Sequence, residues 1–175
     1  MQMYTKYASL RVEDLPYPEG LGKEEHKGLQ AAVKNLLGAG ASDSEVHEAH
    51  FWTRPYQAVV AEHLTPFFAK DGDIVDIARR GLEIADGNPA FGVAIPEGEN
   101  HIGRFAANLP PQPSYSSSKS KWQQHEWARR PPKLFSTDGH LTIQDGRHRL
   151  SYLRSKVQKS DPDFPVLVRI QWEGP

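Results

Sequence analysis

Cysteine is absent from all 175 residues of this chain. That single absence excludes disulfide scaffolds, thiolate zinc fingers, iron–sulfur centres and cysteine nucleophiles. Long apolar runs are missing too. Nothing approaches the roughly 18 residues of a membrane span, and Met1–Glu13 has no apolar signal-peptide core. The expectation is a cytoplasmic protein with no membrane partner, with export through a dedicated secretion system left open. No G-x-S-x-G elbow and no Walker loop is present. What remains is globular in composition, 38% hydrophobic and 25% charged, with room for a single domain over residues 1–175.

The net charge of -1 conceals a segregation of sign. Residues 1–90 carry 9 Lys+Arg against 14 Asp+Glu, whereas residues 91–175 carry 12 against 8. Within residues 101–159, 11 basic residues face only Glu126, Asp138 and Asp145, a local charge of +8. Such a window suits a polyanion partner; a merely solvated basic face is the alternative.

Along the chain, Tyr4 to Val12 reads as a strand, halted by the prolines of Leu15-Pro16-Tyr17-Pro18. Glu24 to Leu37 follows a helical period, with Leu29, Ala32, Val33, Leu36 and Leu37 on one stripe and Gly38 and Gly40 closing it. Ser42-Asp43-Ser44-Glu45 begins a helix running to about Phe51. A further helix carries Tyr56, Val59, Val60, His63 and Phe67, with Pro66 kinking or ending it, and another carries Ile74, Ile77, Ala78 and Ala85. Residues 43–87 thus form a helical block, and residues 91–175 form the half with distinctive motifs. There, Phe91 to Ile95 reads as a strand, and Pro110 through Ser120 as a loop rich in proline and serine. Two strand-like runs, Lys133–Ser136 and His140–Gln144, flank Thr137-Asp138-Gly139, a hairpin turn. A helix follows with Leu150, Leu153 and Val157 on its buried stripe, and Pro165 to Trp172 closes the chain as an alternating strand. The fold class is mixed α/β, of the α+β kind.

The chemistry concentrates in Asp145-Gly146-Arg147-His148-Arg149-Leu150. Two arginines and a histidine occupy the first turn of a helix directly after a glycine. A helix start offers unpaired backbone N–H groups and a partial positive charge. Gly146 allows close approach of a ligand, and Arg147 and Arg149 add charged forks, so the segment reads as a phosphate cradle. His148 suits proton transfer at a phosphoester oxygen. Asp145 can orient His148, act as a base, or hold a divalent cation such as Mg2+ that arrives with a nucleotide. The plainer reading is that Asp145 and Gly146 simply shape the strand-to-helix corner.

This hexapeptide, set between a hairpin and a helix with a closing strand, resembles the signature of the ParB/sulfiredoxin-fold superfamily. Leu10-Arg11-Val12-Glu13-Asp14-Leu15-Pro16 is similar to its first strand and turn. The clearer likeness spans residues 131–172 and the weaker one residues 4–37. The resemblance implies a small mixed sheet flanked by helices, with 43–87 as a helical insertion, and phosphate handling by Asp145, Gly146, Arg147, His148 and Arg149. Sulfiredoxin chemistry needs a cysteine in the motif, which this chain lacks. Full partition proteins continue into a helix-turn-helix domain, and about three residues follow Trp172. The expectation is therefore a ParB-like nuclease or NTPase, a hydrolase acting on DNA, RNA or free nucleotides. A non-catalytic nucleotide-binding module, a small-molecule kinase, the catalytic domain of an interbacterial toxin and an interaction scaffold are the alternatives.

Upstream, Lys119, Lys121, Trp122, His125, Trp127, Arg129, Arg130 and Lys133 interleave cations with aromatics, a mixture suited to nucleic-acid backbones and bases. Alternatively, Trp122 and Trp127 are core anchors. Asp138 and His140 belong either to the turn or to the site. His47-Glu48-Ala49-His50 resembles a zinc-protease helix, but its histidines are three apart rather than four. His47, His50 and His63 are accordingly read as helix-surface or core residues.

Overall fold

The computed structural model describes residues 1–19, 27–38, 44–99 and 101–175. Among these the chain forms seven α-helices and one five-stranded mixed sheet. In chain order the elements are β1 (Gln2–Arg11), α1 (Lys27–Leu37), α2 (Ser44–His50), α3 (Arg54–Phe68), α4 (Ile74–Asp86) and β2 (Ile95–Pro96). They continue with α5 (His101–Ala107), α6 (Lys119–Arg129), β3 (Lys133–Thr137), β4 (His140–Asp145), α7 (Arg147–Val157) and β5 (Pro165–Gly174). The sheet order is β2-β1-β5-β3-β4. Among the described residues no helix is long and apolar enough to cross a membrane.

The two ends of the chain make the centre of the sheet. β1 and β5 pair antiparallel from Gln2↔Gly174 to Arg11↔Pro165, and β3 lies parallel to β5 on its other side. Successive strand residues point to opposite faces. Val166, Leu167 and Val168 are nevertheless all buried, so both faces of β5 are covered. The expected alternation there gives way to a continuous apolar run, as in any strand buried on both sides. The β3–β4 hairpin turns at Asp138 and Gly139, whose φ angles of 50° and 79° are the left-handed pair of a type I′ turn.

α7 buries five successive residues, Leu150 to Arg154, because α3 and α4 both pack against it. The 43–87 helices therefore share one core with the motif-bearing half. α4 starts at Asp73, whose carboxylate accepts from the N–H groups of Val75 and Asp76 at 2.8 and 3.4 Å.

Several local expectations are revised. In α1, Leu29 and Val33 are buried but Leu36 is exposed; Glu24 and Gly40 lie outside the described residues, as does the start expected at Ser42-Asp43. Pro66 sits inside α3 without ending it, in the last turn, where a single missing N–H removes one bond. The buried stripe of α3 is Tyr56, Val60 and Leu64, with His63 half-buried and Phe67 exposed. Phe91 makes only a bridge to Tyr7, and the strand is confined to Ile95–Pro96. The polar tract ends earlier than expected: Ser118 accepts from the Lys121 N–H at 3.3 Å and caps α6.

Candidate functional site

The strand-to-helix corner forms where expected. Asp145 ends β4 opposite Lys133, and Gly146 rather than Asp145 is the residue preceding the first turn of α7. Gly146 adopts φ 87°, which disfavours any residue with a Cβ. A Cβ there would also meet Pro132 Cβ at 3.0 Å, Pro132 Cα at 3.2 Å and Arg149 Nη2 at 3.2 Å. The space beside Gly146 is thus filled by the protein itself, and its glycine is a packing requirement rather than an opening for a ligand. Gly146→Ala is expected to cost about 2 kcal/mol, roughly 4–8 °C in melting temperature. Gly139→Ala is the control: its φ is 79° but nothing lies within 4 Å. It should lose about half as much, from backbone strain alone. Equal losses in thermal denaturation would refute the packing account.

The two arginines diverge. Arg149 turns inward, donating to the Arg130 carbonyl at 3.0 Å and lying 4.7 Å from the Trp127 ring centre. Burial lowers its pKa to about 10, opposed by the charges of Asp145 and Glu126. Its guanidinium is engaged in tying α6 to α7 and does not face the cavity described next. Asp145 is exposed and serves as part of the counter-charge to Arg149.

Arg147 folds the other way, back along β4. One Nη donates to the carbonyls of Ile143 and Gln144 at 3.2 and 3.5 Å, while its Nε is buried with no acceptor. It lines a polar cavity of about 480 Å³ together with Pro16, Tyr17, Glu19, Glu48 and His140. Of the five residues expected in the cradle, Arg147 lines this cavity; Asp145, Gly146, His148 and Arg149 do not. His148, at the second position of α7, is half-buried.

The opposite wall comes from parts of the chain to which sequence reasoning assigned no role. Arg154 of α7 donates to the carbonyls of Leu15 and Pro16 at 2.8 and 2.6 Å and so fixes the loop that carries Tyr17 and Glu19. Tyr17 lies beside Tyr56, whose hydroxyl is 2.9 Å from His47 Nδ1. Burial, then Tyr56, Glu19 and Glu48, hold the Tyr17 phenol well above its ordinary pKa. It stays protonated near neutrality and acts as a hydrogen-bonding group. Glu48 was visible only inside a failed zinc-motif match, and Tyr17 only as a residue between two prolines.

The basic tract is largely committed to the protein. Trp127 is 1% exposed and donates its indole N–H to the Leu167 carbonyl at 3.2 Å, so it is a core anchor and offers no face to a base. Lys119 pairs with Asp71 at 3.6 Å, Arg129 donates to the Pro110 carbonyl at 2.7 Å, and Arg130 lies 3.4 Å from Glu126. Trp122 is half-buried with its ring edge-on to Tyr115, and Lys121 is exposed. The +8 segment is thus partly neutralised, because Lys119 and Arg104 are matched by Asp71 and Glu99 from outside it.

Among the described residues no group of three His, Cys, Asp or Glu side chains is placed to hold a metal ion. Asp145 is a lone carboxylate beside cations, so it would hold Mg2+ only jointly with nucleotide phosphates. Comparison with family models, with curated proteins and with solved structures finds no match for this chain.

Proposed function

We propose that this protein binds the phosphate groups of a nucleotide or nucleic acid in the cavity between the Pro16–Glu19 loop and the start of α7, and acts there as a phosphoester-cleaving enzyme of ParB-like type. The observation that carries this reading is the position of Arg147. It stands at the first turn of a helix, its guanidinium held by two long bonds to carbonyls and its Nε unpaired. A buried donor without an acceptor costs about 1–3 kcal/mol. Swinging that fork onto an oxyanion gives up weak contacts for charge-assisted ones. The resemblance of Asp145–Leu150 to the ParB/sulfiredoxin signature supports the same ligand class.

Among the described residues that line the cavity the one imidazole is that of His140, at the start of β4, and Glu19 and Glu48 supply carboxylates; side chains of these types serve in general acid–base catalysis. This moves the acid–base role from His148 to His140. A second reading, a nucleotide-binding module without turnover, is favoured by Asp145 and His148 lying outside the cavity. DNA, RNA and nucleoside triphosphates, each with and without magnesium, should be tested for product and for a rise in melting temperature. Turnover that falls at least 100-fold in His140→Ala and survives in His148→Ala is the expected result, since general acid–base catalysis contributes about 10²–10⁴-fold. Stabilisation without product selects the module. Neither product nor stabilisation with any ligand ends both readings.

A further inference from the structure

A second cavity, of about 350 Å³, lies in the groove between α3 and the C-terminal end of α7. Four of its lining residues are cations, Arg54 on the α3 wall and Arg154, Lys156 and Lys159 on the other, and no carboxylate is among the described residues that line it. Trp52 and the alanines of α3 provide an apolar floor.

Arg154 is the unusual member. It is 3% exposed, and its three hydrogen bonds go to uncharged acceptors: the Leu15 and Pro16 carbonyls, and Gln158 Oε1 at 2.9 Å. Its guanidinium lies over the Trp52 ring, 4.3 Å from the ring centre. Burial alone lowers its pKa, to about 9, with no carboxylate opposing the shift. Arg149 differs, since Asp145 and Glu126 offset its burial. A buried cation with satisfied hydrogen bonds but no counter-charge is costly to hold. Three further cations line the same groove. Lys156 and Lys159 complement the negative end of the α7 dipole, which accounts for part of the clustering. Arg54 has no such excuse, standing at the positive end of α3.

We propose that this groove is an anion site for a small molecule carrying two or more phosphate-type charges, distinct from the Arg147 cavity. The volume falls within the range of small-ligand pockets. Cations on both walls favour a compact, multivalent group that bridges α3 and α7 over an extended polymer. The apolar floor accommodates the carbon skeleton of such a ligand.

Calorimetric titration with inorganic pyrophosphate tests this in the Arg147→Gln background, which removes the anion contact of the other cavity. One-to-one binding is expected there. Adding Lys156→Gln and Lys159→Gln should weaken it by about tenfold or more, as loss of charge-assisted contacts predicts. Both lysines are exposed, so the ligand-free melting temperature should fall by no more than a few degrees, through the lost dipole complement and the Lys156 contact with the Tyr152 ring. Absence of binding in the Arg147→Gln background, or equal affinity after the lysine changes, overturns the proposal. Binding of a single-stranded oligonucleotide where pyrophosphate does not bind also overturns it. Because Arg147 is already removed, none of these outcomes bears on the proposed phosphoester site.

Discussion

Trp127→Ala should destabilise the protein by about 3–5 kcal/mol, the cost of emptying a large buried aromatic site. Trp127 is 1% exposed and anchors α6 on three sides. Its Cβ is so close to α4 that a Cβ built on Gly81 would come within 2.8 Å of it. Its indole N–H reaches the Leu167 carbonyl on the central strand, and its face carries the Arg149 guanidinium. The substitution therefore opens a cavity, leaves a buried carbonyl unpaired and removes the aromatic platform of a half-buried cation. Native domains have about 5–15 kcal/mol in hand, so at least about a fifth of the total is at stake. A midpoint lowered by roughly 6–20 °C is expected at about 2–4 °C per kcal/mol. Trp127→Phe keeps most of the volume and loses the N–H bond, at about 1–3 kcal/mol. Urea denaturation of the two variants checks both values. If Trp127→Ala unfolds with wild-type stability but loses oligonucleotide binding, the residue is a stacking platform after all and this assignment is wrong.

The contrast between α6 and α7 shows what kind of information local sequence carries. The hairpin and α7 were legible because Asp138-Gly139 demands a turn with positive φ, and because apolar periodicity switches from two to nearly four at Gly146. α6 was hidden. Its buried residues are few, Trp127 and Ala128, and the remainder is polar and basic, so no stripe announces a helix. What makes it one is the Ser118 cap and the contact with α4, and the latter is invisible in one dimension.

The site divides along the same line. The corner at Asp145–Arg147 is a local feature and was readable. The wall that faces it was not, since Tyr17, Glu19 and Glu48 reach Arg147 only through the packing of α2 and the Arg154 tether. Nor does a run of like charge reveal its partners. Asp71 and Glu99 lie outside the basic segment and pair with two of its cations. Alternation of side-chain direction in the first turn of a helix also settled which arginine faces which way: Arg147 and Arg149, two residues apart, cannot share one face.

That geometry makes Arg147→Gln the sharpest test of the phosphate site. Arg147 is the cation, among the five motif residues, that lines the cavity. In the absence of a ligand its loss should be nearly neutral. Its bonds to the Ile143 and Gln144 carbonyls are 3.2 and 3.5 Å long, and removing it also removes the buried, unpaired Nε. A change in stability within about 1 kcal/mol is expected, because the lost weak bonds and the relieved desolvation oppose one another. Ligand affinity behaves differently. A charge-assisted bond to phosphate is worth about 1.5–3 kcal/mol, so nucleotide binding should weaken by roughly 10- to 150-fold. Arg149→Gln should show the reverse pattern, losing stability through the Arg130 carbonyl and the Trp127 face while altering affinity little. Melting curves and nucleotide titrations on the two variants decide it. If Arg149→Gln weakens binding and Arg147→Gln does not, the ligand approaches α7 from the α6 side, and the cavity bounded by Tyr17 and Glu48 is not where phosphate is held.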